Sequence, residues 1–136
     1  MISHEINIVA AFIAAINRHV PSEISSLMTE DHTFVDSGGR SQSGRGNMTA
    51  GWEEYFRMFP DYRIRIESIL ADNALVAVFG SASATYNGKR GLVPENRIEM
   101  PGAWKAVVEN GKVKHWQVYA DWTEGSRIID NDRETG

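Results

Sequence analysis

The sequence predicts an α+β fold in which three helices cover one face of a curved antiparallel sheet. Apolar residues recur at helical spacing in residues 6–16 and again in 48–58. From residue 62 onward the pattern changes to alternation and to runs rich in Val, Ile, Trp and Tyr, which are typical of strands. Helices followed by a run of strands indicate α+β architecture rather than a parallel α/β sheet.

Length and composition describe one globular domain without a polyanionic partner. The chain has 136 residues, 42% hydrophobic and 24% charged, and no apolar run is long enough to span a membrane. We assign one domain to residues 1–124 and a loosely held tail to 125–136, because the last residues show little periodicity. A net charge of −4 without a basic block argues against nucleic acid as a partner.

The N-terminus and the cysteine content bear on location and cofactors. Glu5 lies where a signal peptide needs positive charge, and Asn17, Arg18 and His19 occupy the place of a small-residue cleavage site. We therefore expect a cytoplasmic protein that binds no membrane. The chain has no cysteine, and its four histidines lack the spacing of a metal site. We predict no cofactor and no metal.

Two N-terminal helices are predicted to form a helical hairpin. Ser3 is suited to cap the first helix, and Phe12 widens the apolar arc of that helix. Pro21 suits the first position of a short second helix that runs to about Met28. Much of the first helix should therefore be buried.

A short strand and a third helix follow. Residues 32–36 have the pattern of a strand, and the glycine-rich residues 37–46 that of a loop. Asn47 can cap a helix over residues 48–58, which Pro60 ends. The helix carries a stripe of large side chains that should be buried: Met48, Trp52, Tyr55, Phe56 and Phe59.

Two longer strands come next. Residues 62–70 alternate between apolar and charged side chains, which predicts a strand with one solvated face. Residues 74–86 form a strand rich in small residues, with Gly80 as a candidate bulge. Residues 87–102, rich in Gly, Pro and charge, are predicted to be irregular.

The final hairpin, residues 103–122, has two faces that both prefer burial. Asn110-Gly111 favours positive φ at both positions, which predicts a two-residue turn. In the strand after the turn, alternation separates the side chains into two sets. One set is His115, Gln117, Tyr119 and Asp121, and the other is Trp116, Val118, Ala120 and Trp122. Each face should therefore be covered.

The element order and three segments resemble the nuclear transport factor 2-like superfamily, in its SnoaL-like and ketosteroid-isomerase-like branch. The segments are residues 27–39 (LMTEDHTFVDSGG), 44–56 (GRGNMTAGWEEYF) and 111–121 (GKVKHWQVYAD). The resemblance implies a cystatin-like α+β barrel, which is a cone-shaped curved antiparallel sheet around three N-terminal helices with an apolar pocket. It also implies a homodimer through the outer face of the sheet. The partner would then cover the Trp116 face of the last strand.

The resemblance also implies a proton-shuttling carboxylate at Asp36, at the end of the first strand. Isomerases of this branch use a Tyr and a protonated Asp as oxyanion donors. The corresponding positions here are Phe12 and the vicinity of Ala103 or Trp104, so both donors are missing. Steroid isomerisation is therefore not expected. Asp followed by Ser-Gly-Gly is also an ordinary turn sequence, which leaves a structural role for Asp36 open.

Asp121 is the preferred candidate acid/base, because SnoaL-like cyclases carry a carboxylate a few residues after a Trp on the last strand. Tyr119 lies on the same strand face, about 6 to 7 Å away, and either Tyr119 or Trp104 could donate to a substrate oxygen. The alternative is a strand-end Asp that pairs with an Arg or caps a loop. His32 could orient a substrate oxygen or serve as a hydrogen-bonded structural residue.

Six aromatic residues are candidates for contact with a small apolar molecule: Phe12, Trp52, Tyr55, Tyr86, Trp104 and Tyr119. An amphipathic helix must bury Trp52 and Tyr55 in any case. Two hypotheses remain: a cofactor-free isomerase, cyclase or lyase using a buried carboxylate on a small carbonyl compound, and a non-catalytic ligand-binding or adaptor protein. A shielded carboxylate facing the pocket favours the enzyme, whereas carboxylates that are exposed or paired with Arg favour the binder.

Overall fold

A computed structural model describes residues 3–135, in which a curved six-stranded sheet packs against helices. The helices are α1 (His4–Arg18), α2 (Pro21–Ser26), α3 (Arg45–Met58) and α4 (Thr123–Glu134). The strands are β1 (Met28–Val35), β2 (Ser41–Ser43), β3 (Arg63–Asp72), β4 (Leu75–Thr85), β5 (Arg97–Glu109) and β6 (Lys112–Tyr119). This architecture confirms the predicted α+β fold.

Local signals at the N-terminus act as the sequence predicts. The Ser3 hydroxyl accepts a 3.1 Å hydrogen bond from the backbone N–H of Ile6 and so caps α1. Pro21 occupies the first turn of α2, where its missing N–H would have had no helical partner. Val9, Phe12 and Ile16 are fully buried, which confirms that α1 lies against the core.

The sheet has the order β2-β1-β6-β5-β4-β3, and one of its pairings differs from the prediction. Strands β3 to β6 pair antiparallel with one another, but β1 runs parallel to β6, with Phe34 opposite Trp116. The two strands lie at opposite ends of the chain, so no tight hairpin constrains their direction. β2 also forms inside the predicted loop and pairs antiparallel with β1.

Strand β5 starts at Arg97, earlier than the sequence predicts. Ala103 is the last β5 residue that pairs with β6, whereas pairing with β4 continues to Arg97. At Pro101, β5 therefore has a neighbouring strand on one side only. Such an edge position tolerates a residue without a backbone N–H. The irregular connection is therefore shorter than predicted. It stops before Arg97 and ends in a 3₁₀ turn at Pro94–Asn96.

The predicted Asn110-Gly111 turn is confirmed, whereas the bulge predicted at Gly80 lies on the facing strand β3. The pairing of β3 with β4 shifts by one residue opposite Gly80, and Glu67 is the extra residue. A Cβ atom on Gly80 would lie 1.9 Å from the carbonyl oxygen of Arg65, so the bulge requires glycine. At the β5–β6 turn, Asn110 and Gly111 have φ values of 52° and 75°.

The Trp116 face of β6 packs into the core, which is the reverse of the predicted orientation. Trp116 is 1% exposed and its ring lies 5.2 Å from Phe12, between centroids. Tyr119, on the opposite face, is 48% exposed. The alternation itself is as predicted, but the large apolar set fills the protein's own interior instead of waiting for a partner subunit.

The C-terminal segment forms helix α4 instead of a segment without secondary structure. Ile128 and Asp132 are buried, at 5% and 0% exposure. The carboxylate of Asp132 accepts hydrogen bonds from the backbone N–H groups of Lys89 and Arg90, at 2.7 and 2.8 Å. The amphipathic pattern of α4 is hard to recognise because one of its buried positions is an aspartate that is satisfied by distant residues.

No helix within residues 3–135 has both the length and the apolar content needed to cross a membrane.

Candidate functional site

A cavity of about 620 Å³ opens between α3, α4 and the sheet. All four tryptophans of the chain line it: Trp52, Trp104, Trp116 and Trp122. Three of the four tyrosines line it as well: Tyr55, Tyr62 and Tyr86. Its volume falls in the range of about 300 to 1,000 Å³ that is usual for small-molecule sites.

The aromatic rings are fixed by contacts with one another. Trp52 and Tyr55 lie on one face of α3 at i and i+3, and their centroids are 5.9 Å apart with perpendicular rings. Tyr62, just before β3, packs edge-on against Tyr55 at 5.1 Å. On the sheet, Trp104 and Trp116 lie nearly parallel at 6.3 Å. These contacts give the cavity a rigid wall.

The two inner tyrosines are neutral hydrogen-bonding groups. Burial raises the pKa of Tyr55 to about 12. Burial, followed by the proximity of Tyr55, raises the pKa of Tyr62 well above its ordinary value of 10.0. Both phenols therefore keep their protons at neutral pH, because the charged form would be poorly solvated there.

Trp52 carries a buried donor without an acceptor. The residue is 7% exposed, and its Nε1 has no hydrogen-bond partner among the described residues. An indole N–H can only donate, and leaving such a group buried and unpaired costs about 1 to 3 kcal/mol. Trp52 therefore lies on the cavity wall, and its unpaired donor nitrogen is buried within that wall.

Four charged residues line the cavity, and each is at least partly exposed to solvent: Asp36, Arg40, Glu54 and Arg133. The side chains of Arg40 and Glu54 are 88% and 61% exposed. Glu54 pairs with Arg57 at 2.6 Å. The cavity is thus apolar with neutral donors inside and charged where it meets solvent.

Asp36 lines the cavity, but its carboxylate is already engaged. Its Oδ1 accepts hydrogen bonds from the backbone N–H groups of Gly38 and Arg40, at 2.9 and 3.0 Å. Its Oδ2 lies 3.4 Å from Nε of Arg40. These contacts are those of the turn between β1 and β2, so the geometry matches the turn interpretation of Asp36.

Asp121 and Tyr119 do not line the cavity, contrary to the prediction. Asp121 is exposed, and its Oδ1 accepts a 2.9 Å hydrogen bond from the backbone N–H of Thr123. Hydrogen bonds from the side chain and backbone of Thr123 lower the pKa of Asp121, which makes it a weaker base. The orientation of β6 explains this, because Ala120 and Trp122 point into the cavity in place of Tyr119 and Asp121.

His32 and Phe12 belong to the core behind the cavity wall. His32 is 1% exposed, and its Nδ1 lies 2.7 Å from the carbonyl oxygen of Val113. Burial lowers the pKa of His32, although the hydrogen bond with Val113 opposes this effect. Phe12 packs against His32 at 5.9 Å and is fully buried. Neither lines the cavity.

The four aromatic candidates Trp52, Tyr55, Tyr86 and Trp104 do lie together on the cavity wall. The cavity is also lined by residues that the sequence patterns did not identify as site residues: Tyr62, Trp116, Trp122 and the α4 residues Ile129 and Arg133. The alternation of residues 62–70 already put Tyr62 on the apolar face of its strand, so a pattern was present for this residue. The α4 residues could not be placed without the helix. No group of three His, Asp or Glu residues within 3–135 could hold a metal ion.

Most of the chain matches a known protein family. Residues 9–116 match the SnoaL-like domain family. A search of curated proteins gave no match.

Three solved structures are similar over nearly the whole chain. A protein of ketosteroid isomerase-like fold from Catenulispora acidiphila, in complex with trimethylamine, is 18% identical with a TM-score of 0.77, over 93% of this chain and 92% of that chain. An LEH-like epoxide hydrolase from M. tuberculosis is 15% identical with a TM-score of 0.77, over 96% and 92%. TerC, co-crystallized with polyporic acid, is 18% identical with a TM-score of 0.79, over 94% and 99%. The TM-scores show a common fold, and at these sequence identities the likeness extends to the fold alone.

Proposed function

This chain belongs to the SnoaL-like domain family, and from that premise we propose that it is a binding protein for a small, largely apolar molecule. The observation that carries the proposal is the cavity of about 620 Å³ lined by all four tryptophans. Aromatic walls favour burial of apolar and planar groups, and a rigid wall loses little entropy on binding.

The state of the two candidate carboxylates supports binding over catalysis. Asp121 is exposed outside the cavity, and Asp36 is bound by its own turn and by Arg40. A general base needs a free carboxylate oxygen within hydrogen-bonding reach of the proton that it removes. The trimethylamine and polyporic acid in two similar structures also support a small-molecule ligand for this fold.

A cofactor-free isomerase, cyclase or lyase is the second candidate, and the position of Asp36 favours it. Asp36 lines the cavity, so a carbonyl substrate could approach its Oδ2 if the contact with Arg40 opened. Arg40 is 88% exposed, and an ion pair of this kind is weak enough to break on substrate binding. In this mechanism Asp36 would remove a proton from a carbon next to the carbonyl, and Tyr55 or Trp104 would donate to the oxygen.

A homodimer is part of the proposal, but with a different contact surface. The outer sheet face carries a cross-strand row of Phe79, Ala103 and Tyr119, in which the two aromatic residues are each 48% exposed. Leu75, 44% exposed, lies on the same face. Burial of this row against a second copy would remove apolar surface from water.

A cytoplasmic location also stays a prediction.

The binding proposal is tested with a neutral two-ring probe, 1-tetralone, and intrinsic tryptophan fluorescence. Because all four tryptophans line the cavity, an occupied cavity should change the emission in a saturable way. Native mass spectrometry of the purified protein would additionally reveal a ligand carried from the cell.

A cavity-filling variant makes the test specific. Ala82→Phe adds a ring at a lining position and should abolish probe binding. Ala11→Phe makes the same change on the exposed side of α1 and should leave binding intact. Equal binding by Ala82→Phe, or no binding by the unmodified protein up to millimolar probe, would contradict the proposal.

A further inference from the structure

Tyr55 and Tyr62 carry hydroxyl groups that the protein itself leaves unpaired. Both residues line the cavity, and neither phenolic oxygen forms a hydrogen bond with another described residue. The fully enclosed side-chain atoms of the described residues that lack a partner are Nε1 of Trp52 and Nε of Arg90. The two phenolic oxygens are not among them, so a molecule of the size of water reaches both.

The accessible side of these oxygens faces the cavity rather than the outer surface. Tyr62 is 9% exposed, and burial raises its pKa well above 10.0, so protein surrounds the phenol on most sides. Burial likewise raises the pKa of Tyr55 to about 12. A group that protein surrounds and that solvent still reaches lies in a cavity, and both residues line the cavity between α3, α4 and the sheet.

Neighbouring rings hold the two phenols in place. Their ring centroids are 5.1 Å apart and the ring planes are perpendicular, at 88°. Tyr55 also packs against Phe59 at 4.9 Å, and Tyr62 lies 6.4 Å from Trp52. The ring of His19 donates a hydrogen bond to the backbone carbonyl of Tyr62. One small ligand can therefore reach both hydroxyls, and it would not have to immobilise either side chain.

The chemistry of the pair selects the type of ligand group. Each phenol is neutral at pH 7 and can donate one hydrogen bond, and a carbonyl oxygen can accept two. The burial that disfavours a phenolate also disfavours a charged ligand group at the same place. Phe12, at the position where the resemblance implies an oxyanion donor, is fully buried in the core. Tyr55 and Tyr62 are thus a different set of donors, on another wall of the cavity.

We propose that Tyr55 and Tyr62 are a specificity-determining pair whose hydroxyls both donate hydrogen bonds to a neutral carbonyl oxygen of the bound molecule. This inference rests on the proposed binding function and deepens it. The preferred ligands are thus apolar ring compounds with a ketone or quinone oxygen, and hydrocarbons of the same shape bind less tightly.

Two matched probes test the pair. 1-Tetralone and tetralin share the two-ring skeleton and differ in the carbonyl oxygen. One hydrogen bond usually changes a dissociation constant by about fivefold, so the unmodified protein should prefer 1-tetralone by about 25-fold. Tyr55→Phe and Tyr62→Phe each remove one hydroxyl and keep the ring, so each should reduce the preference to about fivefold. The double variant should reduce it to about onefold.

Tyr119→Phe is the matched control, since it removes the hydroxyl of a tyrosine outside the cavity. It should keep the 25-fold ratio. Melting temperatures of the single variants should stay within about 2 °C of the unmodified protein, because neither hydroxyl has a partner in the protein. A purely structural role would instead lower the melting temperature and weaken both probes together, with the ratio unchanged.

The ratio of the two dissociation constants decides the outcome. A preference that survives in the double variant, or one that falls in only one of the single variants, overturns the pair. Equal binding of both probes by the unmodified protein refutes this inference while the binding function stands. No binding of either probe refutes both.

Discussion

The side-chain amide of Asn96 donates a 3.0 Å hydrogen bond to the carboxylate of Asp132, and both residues are completely buried. Asp132 lies on α4 and Asn96 ends the 3₁₀ turn before β5. The same amide of Asn96 lies within hydrogen-bonding distance of the carbonyl oxygens of Tyr86 and Gly91. This polar cluster ties the C-terminal helix to the connection between β4 and β5.

Removal of α4 should destabilise the protein. A chain that ends at Gly125 loses the buried Ile128 and leaves Asn96 without Asp132. We expect its melting temperature to fall by more than roughly 5 °C, which corresponds to about 1 kcal/mol or more for a domain of this size. A chain that ends at Thr135 is the control, since it keeps the helix. Equal melting temperatures would show that α4 contributes no stability.

Asp132→Asn should lower stability because an amide brings N–H groups toward the N–H groups of Lys89 and Arg90. Asp130→Asn, on the exposed side of the same helix, is the control. Thermal unfolding at pH 7 should show a clear loss for the first variant and a change within about 2 °C for the second.

Asp132 should also contribute to acid sensitivity. Burial raises its pKa, but hydrogen bonds from Asn96, Arg90 and Lys89 outweigh this and hold the pKa below the ordinary value of 3.8. A depressed pKa stabilises the fold above the unfolded-state value near 4 and loses that effect as the pH falls through the folded-state value. Denaturant unfolding between pH 7 and 3 should therefore show a shallower acid loss in Asp132→Asn. An unchanged slope would contradict this.

Charge on the outer sheet face should prevent dimer formation. Phe79→Glu introduces a carboxylate into the row of Phe79, Ala103 and Tyr119, so the proposed interface would have to bury a charge. Sedimentation at micromolar concentration should give a dimer for the unmodified protein and a monomer for Phe79→Glu. Leu92→Glu, at a 58% exposed loop residue, should remain dimeric. A monomeric unmodified protein would refute the dimer.

Gly80→Ala should be strongly destabilising, because the added Cβ would overlap the backbone carbonyl of Arg65 at 1.9 Å. Backbone atoms cannot move aside without breaking the β3–β4 ladder. Gly46→Ala is the comparison, since nothing lies within 4 Å of its Cβ position and alanine favours a helix. Chemical denaturation should show a large loss for the first and equal or higher stability for the second.

Substitution of the two candidate carboxylates separates the two functions. Asp121→Asn should change neither probe binding nor stability, because the side chain is exposed outside the cavity. Asp36→Asn should leave 1-tetralone binding within a few fold if the protein only binds. If a turnover reaction is found and Asp36→Asn lowers its rate by about 10² to 10⁴, the enzyme hypothesis replaces the binding one.

Features that depend on neighbouring residues follow from the amino-acid sequence alone. The Ser3 cap, the Asn110-Gly111 turn and the change from helical to strand periodicity all follow from side-chain and backbone preferences within a few positions. Alternation likewise separated Trp116 from Tyr119. The aromatic stripe of α3 was visible for the same reason, and with it much of the cavity wall.

Which of two equivalent local patterns meets the core depends on packing between distant segments. Periodicity tells which side chains share a face, but Trp116 turns inward because it packs against Phe12, which lies near the other end of the chain. Asp132 is buried because donors some forty residues earlier satisfy it. Burial is a property of contacts between distant segments, and a local pattern carries no information about which distant segment will be there.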